Sequence, residues 1–434
     1  MVAFETLLLG LVMHAQQVRL MVAPPVTAVV LRLDGATLTG LRHPPWEVVV
    51  DLGDRPTPHF LEAIGLDAEG REISRAVQWV NLPRADAEAR LLLERDPKSG
   101  LATGAQISWE EVEGNDPIEV RAALDGAPLP LPPGATRLAL PPVDPAQIHV
   151  LSVEVEFPER RLARTDVAFG GDLAGEVQTE LTAVPLTRDD PRRVPTVASL
   201  AGRFSVAGRP ARVVAVEETV AEVLVVAGEA VLQHLPAQRA LSRQTARPPN
   251  MMAPARTRDD RLTVLFTVPR IFTDRRGATR RLFTATYPVR FSSSVLPHVL
   301  GRMIFPAAGP GEEAVASAVA VGGLHAAAGN RRRAVVLLVG ERPPDDPVVD
   351  AAEVRSVLAD LRVPLRVWSL NREAEPQVRL QWGEVEDVSG VQRLGRAAER
   401  LADDLDRQVI VWLDGAHLPQ QVAFAGAPGL QPAR

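Results

Sequence analysis

The stretch NRRRAVVLLVGE, residues 330–341, decides the fold of the C-terminal half of the chain. Its apolar run at 334–339 shows no alternation with polar residues, which is typical of a strand buried on both faces. An alanine-rich segment at 312–329 precedes it and favours a helix. We therefore predict that residues 330–341 form a central strand of a mixed α/β domain.

Strands and helices alternate on both sides of this run. The spacing predicts further strands at 261–268, 365–370 and 408–413 and amphipathic helices at 348–361 and 391–405. Strands that alternate with helices indicate a doubly wound parallel sheet. We place this α/β domain at 213–425 and expect a C-terminal tail at 426–434.

The first half of the chain predicts short β-strands separated by turns. RLDGATL at 32–38 and ALDGAPL at 123–129 hold the same Asp-Gly hairpin signal, a weak internal repeat. Several short strands at this spacing favour two related immunoglobulin-like β-sandwiches. We place them at 17–87 and 88–186, followed by a linker with one hairpin at 187–212.

The N-terminal segment 1–16 is a candidate secretory signal. Its apolar run Leu7–Met13 is too short to span a bilayer, and the residues before it include Glu5 but no basic residue. An N-terminal strand is the alternative reading. We expect a periplasmic or secreted protein, with a cytoplasmic location as the alternative.

Composition excludes several kinds of chemistry. The chain has no cysteine, which removes disulfides, thiolate nucleophiles and the usual zinc sites. Its net charge of −6 gives no overall attraction to nucleic acid. No nucleotide-binding glycine motif occurs, and the histidines are scattered without ligand spacing. We predict no nucleic-acid partner and no cofactor.

Four quoted segments resemble a known family. NRRRAVVLLVGE (330–341), RVPLRVWSL (362–370) and LDRQVIVWLDGAHLPQQV (405–422) resemble the α/β domain of bacterial von Willebrand factor A-related proteins. PPWEVVVDLGDRPTPHF, starting at residue 44, is similar to the β-sandwich module that often precedes it. The resemblance implies immunoglobulin-like modules followed by a Rossmann-like A domain.

A domains usually bind Mg²⁺ through a D-x-S-x-S loop after the first strand and an aspartate after the central strand. Here residues 227–231 are AGEAV, and Gly340 follows the central strand. The resemblance therefore implies a degenerate metal-ion-dependent adhesion site without metal. The residues expected to dock a partner are the loop positions at the strand ends: Gly228, Glu229, Gly340, Glu341 and Asp345.

Other candidate sites have plainer explanations. His298 lies near three serines at 292–294, but no nucleophile elbow surrounds them, so we predict no enzyme. Arg331–Arg333 are interpreted as a solvated edge or as a contact for an acidic protein partner, rather than as a nucleic-acid site. Asp345 with Asp346 is interpreted as a polar loop, with a weak cation site as the alternative. The predicted function is a non-catalytic, metal-independent adhesion-type scaffold that binds protein partners not yet identified; a cytoplasmic assembly or chaperone-like factor is the alternative.

Overall fold

The structure is a computed structural model of the whole chain. It describes residues 2–434 except 7, 9–10, 23, 82–86, 97–98, 100, 112–115, 133, 159–161, 172–180, 229–230, 232–233, 235–259, 274–278, 287, 303–311 and 416.

The first seven strands form two facing antiparallel sheets. Their bounds are β1 Val2–Phe4, β2 Ala15–Val22, β3 Ala28–Leu33, β4 Ala36–Leu41, β5 Glu47–Asp51, β6 His59–Leu66 and β7 Glu72–Val80. The strand orders are β1-β2-β5 and β4-β3-β6-β7. Alternate residues such as Val18, Leu31 and Leu61 fill the space between the sheets. This is an immunoglobulin-like sandwich of the fibronectin III kind.

The next seven strands repeat this arrangement. They are β8 Ala87–Arg95, β9 Ala102–Glu111, β10 Glu119–Leu124, β11 Ala127–Leu129, β12 Arg137–Ala139, β13 Ile148–Glu156 and β14 Leu162–Gly170. Their orders, β12-β9-β8 and β11-β10-β13-β14, match those of the first sandwich strand for strand. The prediction of two antiparallel sandwiches is confirmed. Their boundaries stay predictions.

An Asp–His pair recurs at the same place in both sandwiches. Asp34 and Asp125 open the predicted hairpin turns with positive φ angles of 53° and 50°. His59 Nδ1 lies 2.8 Å from Asp34 Oδ2, and His149 Nδ1 lies 2.7 Å from Asp125 Oδ2. The other carboxylate oxygen of each aspartate accepts a backbone N–H at the start of the strand that carries the histidine. These two histidines, which have no metal-ligand spacing in the sequence, have a structural role: each fastens a turn to a neighbouring strand.

The described part of segment 1–16 contributes to the first sandwich. β1 pairs with the end of β2, and Leu8 is buried. The backbone N–H of Leu8 donates to Gln78 Oε1 at 2.7 Å, and Asn81 Nδ2 donates to the Val12 carbonyl at 2.7 Å. The buried side-chain amides of Gln78 and Asn81 thus form hydrogen bonds with this segment. Such contacts are expected if the segment is an N-terminal strand of the folded protein, which is the alternative to a signal. Its cleavage as a signal stays a prediction.

The predicted linker at 187–212 lies within a third β-unit. It overlaps β15 Leu181–Arg188 and contains the short helix α1 Val197–Leu200 and the strands β16 Phe204–Val206 and β17 Arg209–Pro210; β18 Val213–Glu217 follows. β16 and β17 form the one hairpin expected there. Leu200 and Phe204 are buried in the core of the unit, so this stretch packs rather than links.

A doubly wound α/β unit follows. Its elements are β19 Ala221–Ala227, β20 Arg261–Phe266, β21 Arg270–Thr273, β22 Thr279–Leu282, β23 Val289–Arg290, α2 Val295–Arg302, α3 Val315–Ala328, β24 Arg332–Val339, α4 Ala351–Asp360, β25 Leu365–Ser369, α5 Glu375–Trp382, β26 Glu386–Asp387 and α6 Val391–Asp406. The sheet order is β23-β20-β19-β24-β25-β26, and only the edge strand β23 is antiparallel. Helices α3, α4 and α5 cover one face, while α2 and α6 cover the other. The predicted α/β sheet is confirmed.

The prediction that 408–413 closes this parallel sheet is wrong. β27 Gln408–Asp414 pairs antiparallel with β15 and β18 in the third β-unit. After a 3₁₀ helix at Pro419–Gln421, β28 Val422–Phe424 joins β16, and β29 Leu430–Pro432, in the expected tail, joins β15. Both faces of β27 are buried, one against each of two apolar clusters, which explains a continuous apolar run in an antiparallel strand.

The α/β unit is therefore inserted into the third β-unit between β18 and β27. Arg188, 2% exposed, holds both ends of the insertion. Its Nη2 donates to Glu218 Oε1 at 2.6 Å and to the Asp406 carbonyl at 2.7 Å, and its Nε donates to the Arg407 carbonyl at 3.2 Å. One guanidinium thus connects the chain leaving the β-unit with the chain returning to it.

Arg331–Arg333, predicted to be a solvated edge, are 5%, 0% and 1% exposed. Helices that connect parallel strands run opposite to them, so their C-terminal carbonyls gather at the amino edge of the sheet, where these arginines lie. Arg333 donates to the Ala326 and Ala327 carbonyls at the end of α3 and to the Leu361 and Arg362 carbonyls after α4. Cations at helix C-termini are stabilised by unpaired carbonyls and the helix dipole.

Candidate functional site

The switch point of the sheet lies between β19 and β24. The chain builds β19 and β20 in one direction and then crosses back over β19 to β24. Doubly wound sheets bind ligands at the carboxyl ends of the strands where such a reversal occurs. Gly228 follows β19 and Gly340 follows β24, and these strands pair in register from Ala221↔Arg332 to Ala227↔Leu338. Two of the five residues predicted from sequence are therefore neighbours there.

Side chains of the chain itself crowd the switch point. A Cβ atom on Gly228 would lie 2.2 Å from Glu313 Oε1 and 2.3 Å from Thr267 Oγ1. The Thr267 hydroxyl donates to that same Glu313 oxygen at 3.2 Å. Only glycine allows the backbone to approach these two groups so closely. Glu313 and Thr267 were not anticipated from the sequence because they come from other segments.

The N-terminus of α3 is occupied by a second carboxylate of the chain. Asp346 Oδ2 accepts the N–H of Ser317 at 2.8 Å, and Asp346 Oδ1 accepts the N–H of Val348 at 3.0 Å. A helix N-terminus attracts anions through its free N–H groups and its dipole. Asp346 takes the position that an anionic ligand would use. The sequence predicts Asp346 to be part of a polar loop, with a weak cation site as the alternative, and does not predict this contact with α3.

The loop 341–348 stands out from this edge. Its exposed residues include Glu341 and Arg342, and the Asp345 side chain is 82% exposed. Asp345 Oδ1 lies 3.4 Å from Arg342 Nη2 and accepts Gln381 Nε2 of α5 at 3.3 Å. The loop is thereby joined to α5, and the two elements form one continuous surface.

Two apolar side chains on this surface face solvent. Leu380 of α5 is 88% exposed, and Val348 is 38% exposed. On α5 the buried residues are Val378 and Trp382, four positions apart, so Leu380 lies off the buried side of the helix. That departure from helical spacing is the signal in the sequence that could identify Leu380 as exposed.

Of the predicted site residues, the structure brings Gly228, Gly340, Glu341 and Asp345 to one edge, and Glu229 lies outside the described residues. Across the described part of the chain, no group of three or more histidines or carboxylates could hold a metal ion. Metal independence remains a prediction. Within the same part, no helix is long and apolar enough to cross a bilayer.

A buried charge cluster joins the opposite edge of the α/β unit to the second sandwich. Glu154 of β13 forms ion pairs with Arg261 and Arg331 of the α/β unit and with Arg121 of β10. Burial alone would raise the pKa of Glu154, but Arg331 and Arg261 hold it below its usual value. The cluster fixes the α/β unit on the sandwich and leaves the carboxyl edge on its far side.

Glu217 provides a testable pH dependence beside this cluster. Its carboxylate accepts the Trp412 Nε1–H at 2.7 Å, and burial raises its pKa from 4.5 to about 6. Between pH 4.5 and about 6, Glu217 is protonated in the folded protein but ionised in the unfolded chain. The free energy of unfolding therefore falls as the pH rises through this range. Glu217→Gln keeps an acceptor for Trp412, and we expect it to stabilise the protein at pH 7.5 by up to about 2 kcal/mol.

Urea unfolding at pH 7.5 and at pH 4.5 measures this effect. The gain from Glu217→Gln should shrink towards zero at the lower pH, while the exposed control Glu399→Gln on α6 should change little at either pH. An equal gain at both pH values would contradict the assignment of the charge to Glu217.

No protein-family model matches the chain. No curated protein matches it either. Fibronectin(III)-like modules of Clostridium thermocellum CbhA are 16% identical, with a TM-score of 0.17 over 18% of this chain and 93% of that one. The central fibronectin-III array of RIM-binding protein is 11% identical, with a TM-score of 0.19 over 44% and 81%. Because these TM-scores are low, the description of both sandwiches as fibronectin III-like rests on their own strand order.

Proposed function

We propose that the chain is a non-catalytic protein–protein interaction scaffold located outside the cytoplasm. Its docking surface is the carboxyl edge of the α/β unit, where Glu341, Asp345, Val348 and Leu380 are exposed and where Gly228 and Gly340 are buried beneath the loops that they begin. Glu229, which lies outside the described residues, is included in this surface from the sequence alone. The two sandwiches and the third β-unit serve as a frame that presents this edge. The proposal treats the α/β unit as a von Willebrand factor A-like domain that works without metal.

The occupied switch point is the observation that carries this proposal. Glu313 fills the space next to Gly228, and Asp346 occupies the N-terminus of α3, where an anionic ligand would bind. A partner can reach the exposed surface next to these two carboxylates, which is formed by the loop 341–348 and α5. An edge whose switch point is filled by side chains of the chain itself suits a protein partner better than a small ligand, which needs a concave pocket.

The chemistry of that surface fits protein recognition. Pro343, Pro344 and Pro347 restrict the loop, so little conformational freedom is lost when a partner binds. Leu380 can supply an apolar anchor, and Glu341 with Asp345 can supply a charged rim. These features favour a partner with an apolar recess bordered by basic residues.

Two of the three sequence segments quoted for the A-domain resemblance, 330–341 and 362–370, support the finer assignment, whereas the third, 405–422, lies mainly in the third β-unit. The central strand β24 lies between α3 and α4, as that resemblance implies. The loop after β19 lacks the aspartate and serines of the metal site. The location outside the cytoplasm rests on the apolar run Leu7–Met13 and is tested by fractionation of the native host.

Site-specific photo-crosslinking tests the docking surface. We expect a crosslinker at Leu380 to give one defined adduct in cells, and one at Arg396 on α6 to give none. Charge reversal at Glu229, Glu341 and Asp345 should abolish the adduct by weakening binding at least about tenfold. A chelator should leave it unchanged. Retention of the adduct in the charge-reversal variant, or its loss with chelator, would refute the proposal.

A further inference from the structure

One exposed sheet face in the first sandwich has an unusual composition. On the outer side of β7, Val77 is 45% exposed and Trp79 is 37% exposed, while the intervening Gln78 and the next residue, Val80, point into the core. The Trp79 ring packs on Phe60 of β6, with ring centroids 4.5 Å apart. Aromatic side chains on a sheet surface are typical of protein interfaces.

The second sandwich shows what covers the same face. The paired histidines align β6 with β13, so that Phe60 corresponds to Val150; Trp79, opposite Phe60, then corresponds to Ala168, opposite Val150. Val150 and Ala168 are 1% and 5% exposed. They form one buried cluster with Ala183, Val214, Ile410 and Trp412 of the third β-unit.

The face therefore packs against another β-sheet in one of the two sandwiches of this chain. In the first sandwich, the larger residues Phe60 and Trp79 stand at these positions, and Trp79 remains partly exposed to solvent. The two sandwiches share their strand order and the Asp–His pair, so this face is built in the same way in both. They differ in what covers it: the third β-unit covers the face of the second sandwich, and the face of the first is exposed.

The charges on this face are balanced. Arg75 Nη1 lies 2.6 Å from Glu62 Oε1, and Arg75 Nε lies 2.8 Å from Glu72 Oε1. Arg32 is the β3 residue opposite Glu62. Two arginines and two glutamates leave no net charge, so two copies of the face do not repel each other. A self-complementary patch is what a two-fold symmetric dimer requires.

We propose that the outer face of the β4-β3-β6-β7 sheet binds the same face of a second copy of this chain. The two-fold axis lies between the two sheets, runs across the strands and passes Val77, so that the Val77 side chains of the two copies meet. It also places Trp79 of each copy over Arg75 of the other, two positions from the axis on the opposite side. The guanidinium then lies on the aromatic ring, a favourable cation–π arrangement.

Sedimentation velocity on the full chain, from micromolar to sub-millimolar concentration, tests this proposal. We expect wild-type protein to dimerise with rising concentration. Val77→Arg, which places two like charges at the axis, should raise the dissociation constant at least about tenfold. Val49→Arg is the matched control, since Val49 is 66% exposed on β5 of the opposite sheet.

Circular dichroism should confirm that both arginine variants are folded, and Trp79→Ala provides a second variant that introduces no charge. A wild-type chain that stays monomeric throughout, or a Val77→Arg variant that dimerises as well as Val49→Arg, would overturn the proposal. The crosslinking of a partner at Leu380 is independent of this result, so the two proposals can fail separately.

Discussion

Replacing Arg333 by methionine is expected to lower the free energy of unfolding by about 3 kcal/mol or more. The Arg333 guanidinium donates to four carbonyl groups at the ends of α3 and α4. Methionine fills a similar volume but donates no hydrogen bond, so these buried carbonyls lose their partner. Burial lowers the Arg333 pKa to about 9, so the group stays charged at neutral pH and its removal also removes a desolvation cost. Four buried carbonyl groups left without a donor, at about 1–3 kcal/mol each, outweigh that gain.

Urea unfolding followed by circular dichroism measures the difference. Arg396→Met is the matched control, since Arg396 is exposed on α6 and its Nε contacts only the Gln392 carbonyl of the same helix, at 3.4 Å. We expect that control to stay within about 0.5 kcal/mol of the wild type. A similar small change in Arg333→Met would show that the helix ends do not depend on this side chain.

Replacing Arg188 by methionine is expected to separate the inserted α/β unit from the β-frame. Wild-type protein should unfold the two together because Arg188 joins Glu218, Asp406 and Arg407 across the two connections. The variant removes a buried charge that is paired and hydrogen-bonded, at a cost of about 3–5 kcal/mol. Differential scanning calorimetry should then show two transitions, the first at a lower temperature than in wild-type protein.

The control for this experiment is Arg209→Met, an exposed position on β17 of the same frame. It should keep the wild-type thermogram. A single transition in Arg188→Met at an unchanged temperature would mean that the remaining strand pairing alone couples the two units.

The sequence predicted the elements better than their partners. Helical spacing identified the helix Ala351–Asp360, and an unbroken apolar run identified the strand Arg332–Val339, because both patterns are local features of the sequence. The run 408–413 was placed in the wrong sheet for a physical reason. A strand buried on both faces is apolar throughout whether its neighbours are parallel or antiparallel, and its partners at 181–188 lie more than 200 residues away.

Buried charge was the second limit of sequence reasoning. Three consecutive arginines ordinarily indicate solvent, and nothing local to Arg331–Arg333 shows that helix ends converge on them. Glu313 and Asp346 were hidden in the same way, since each acts on a segment distant in the chain. The loop positions Gly340 and Glu341 could be placed at the carboxyl edge because they directly follow a strand that the sequence identifies.

The insertion between β18 and β27 has a consequence for how such proteins diversify. These two strands are antiparallel neighbours, with Glu217 opposite Ile410, so the chain leaves and rejoins the frame at adjacent points. Domains whose termini lie close together can be inserted into a host without disturbing it. The interval 218–407 can therefore be exchanged as one segment if the replacement also satisfies Arg188 and Glu154 of the frame. Recombination at these two points would give one frame a different inserted domain in a single genetic step.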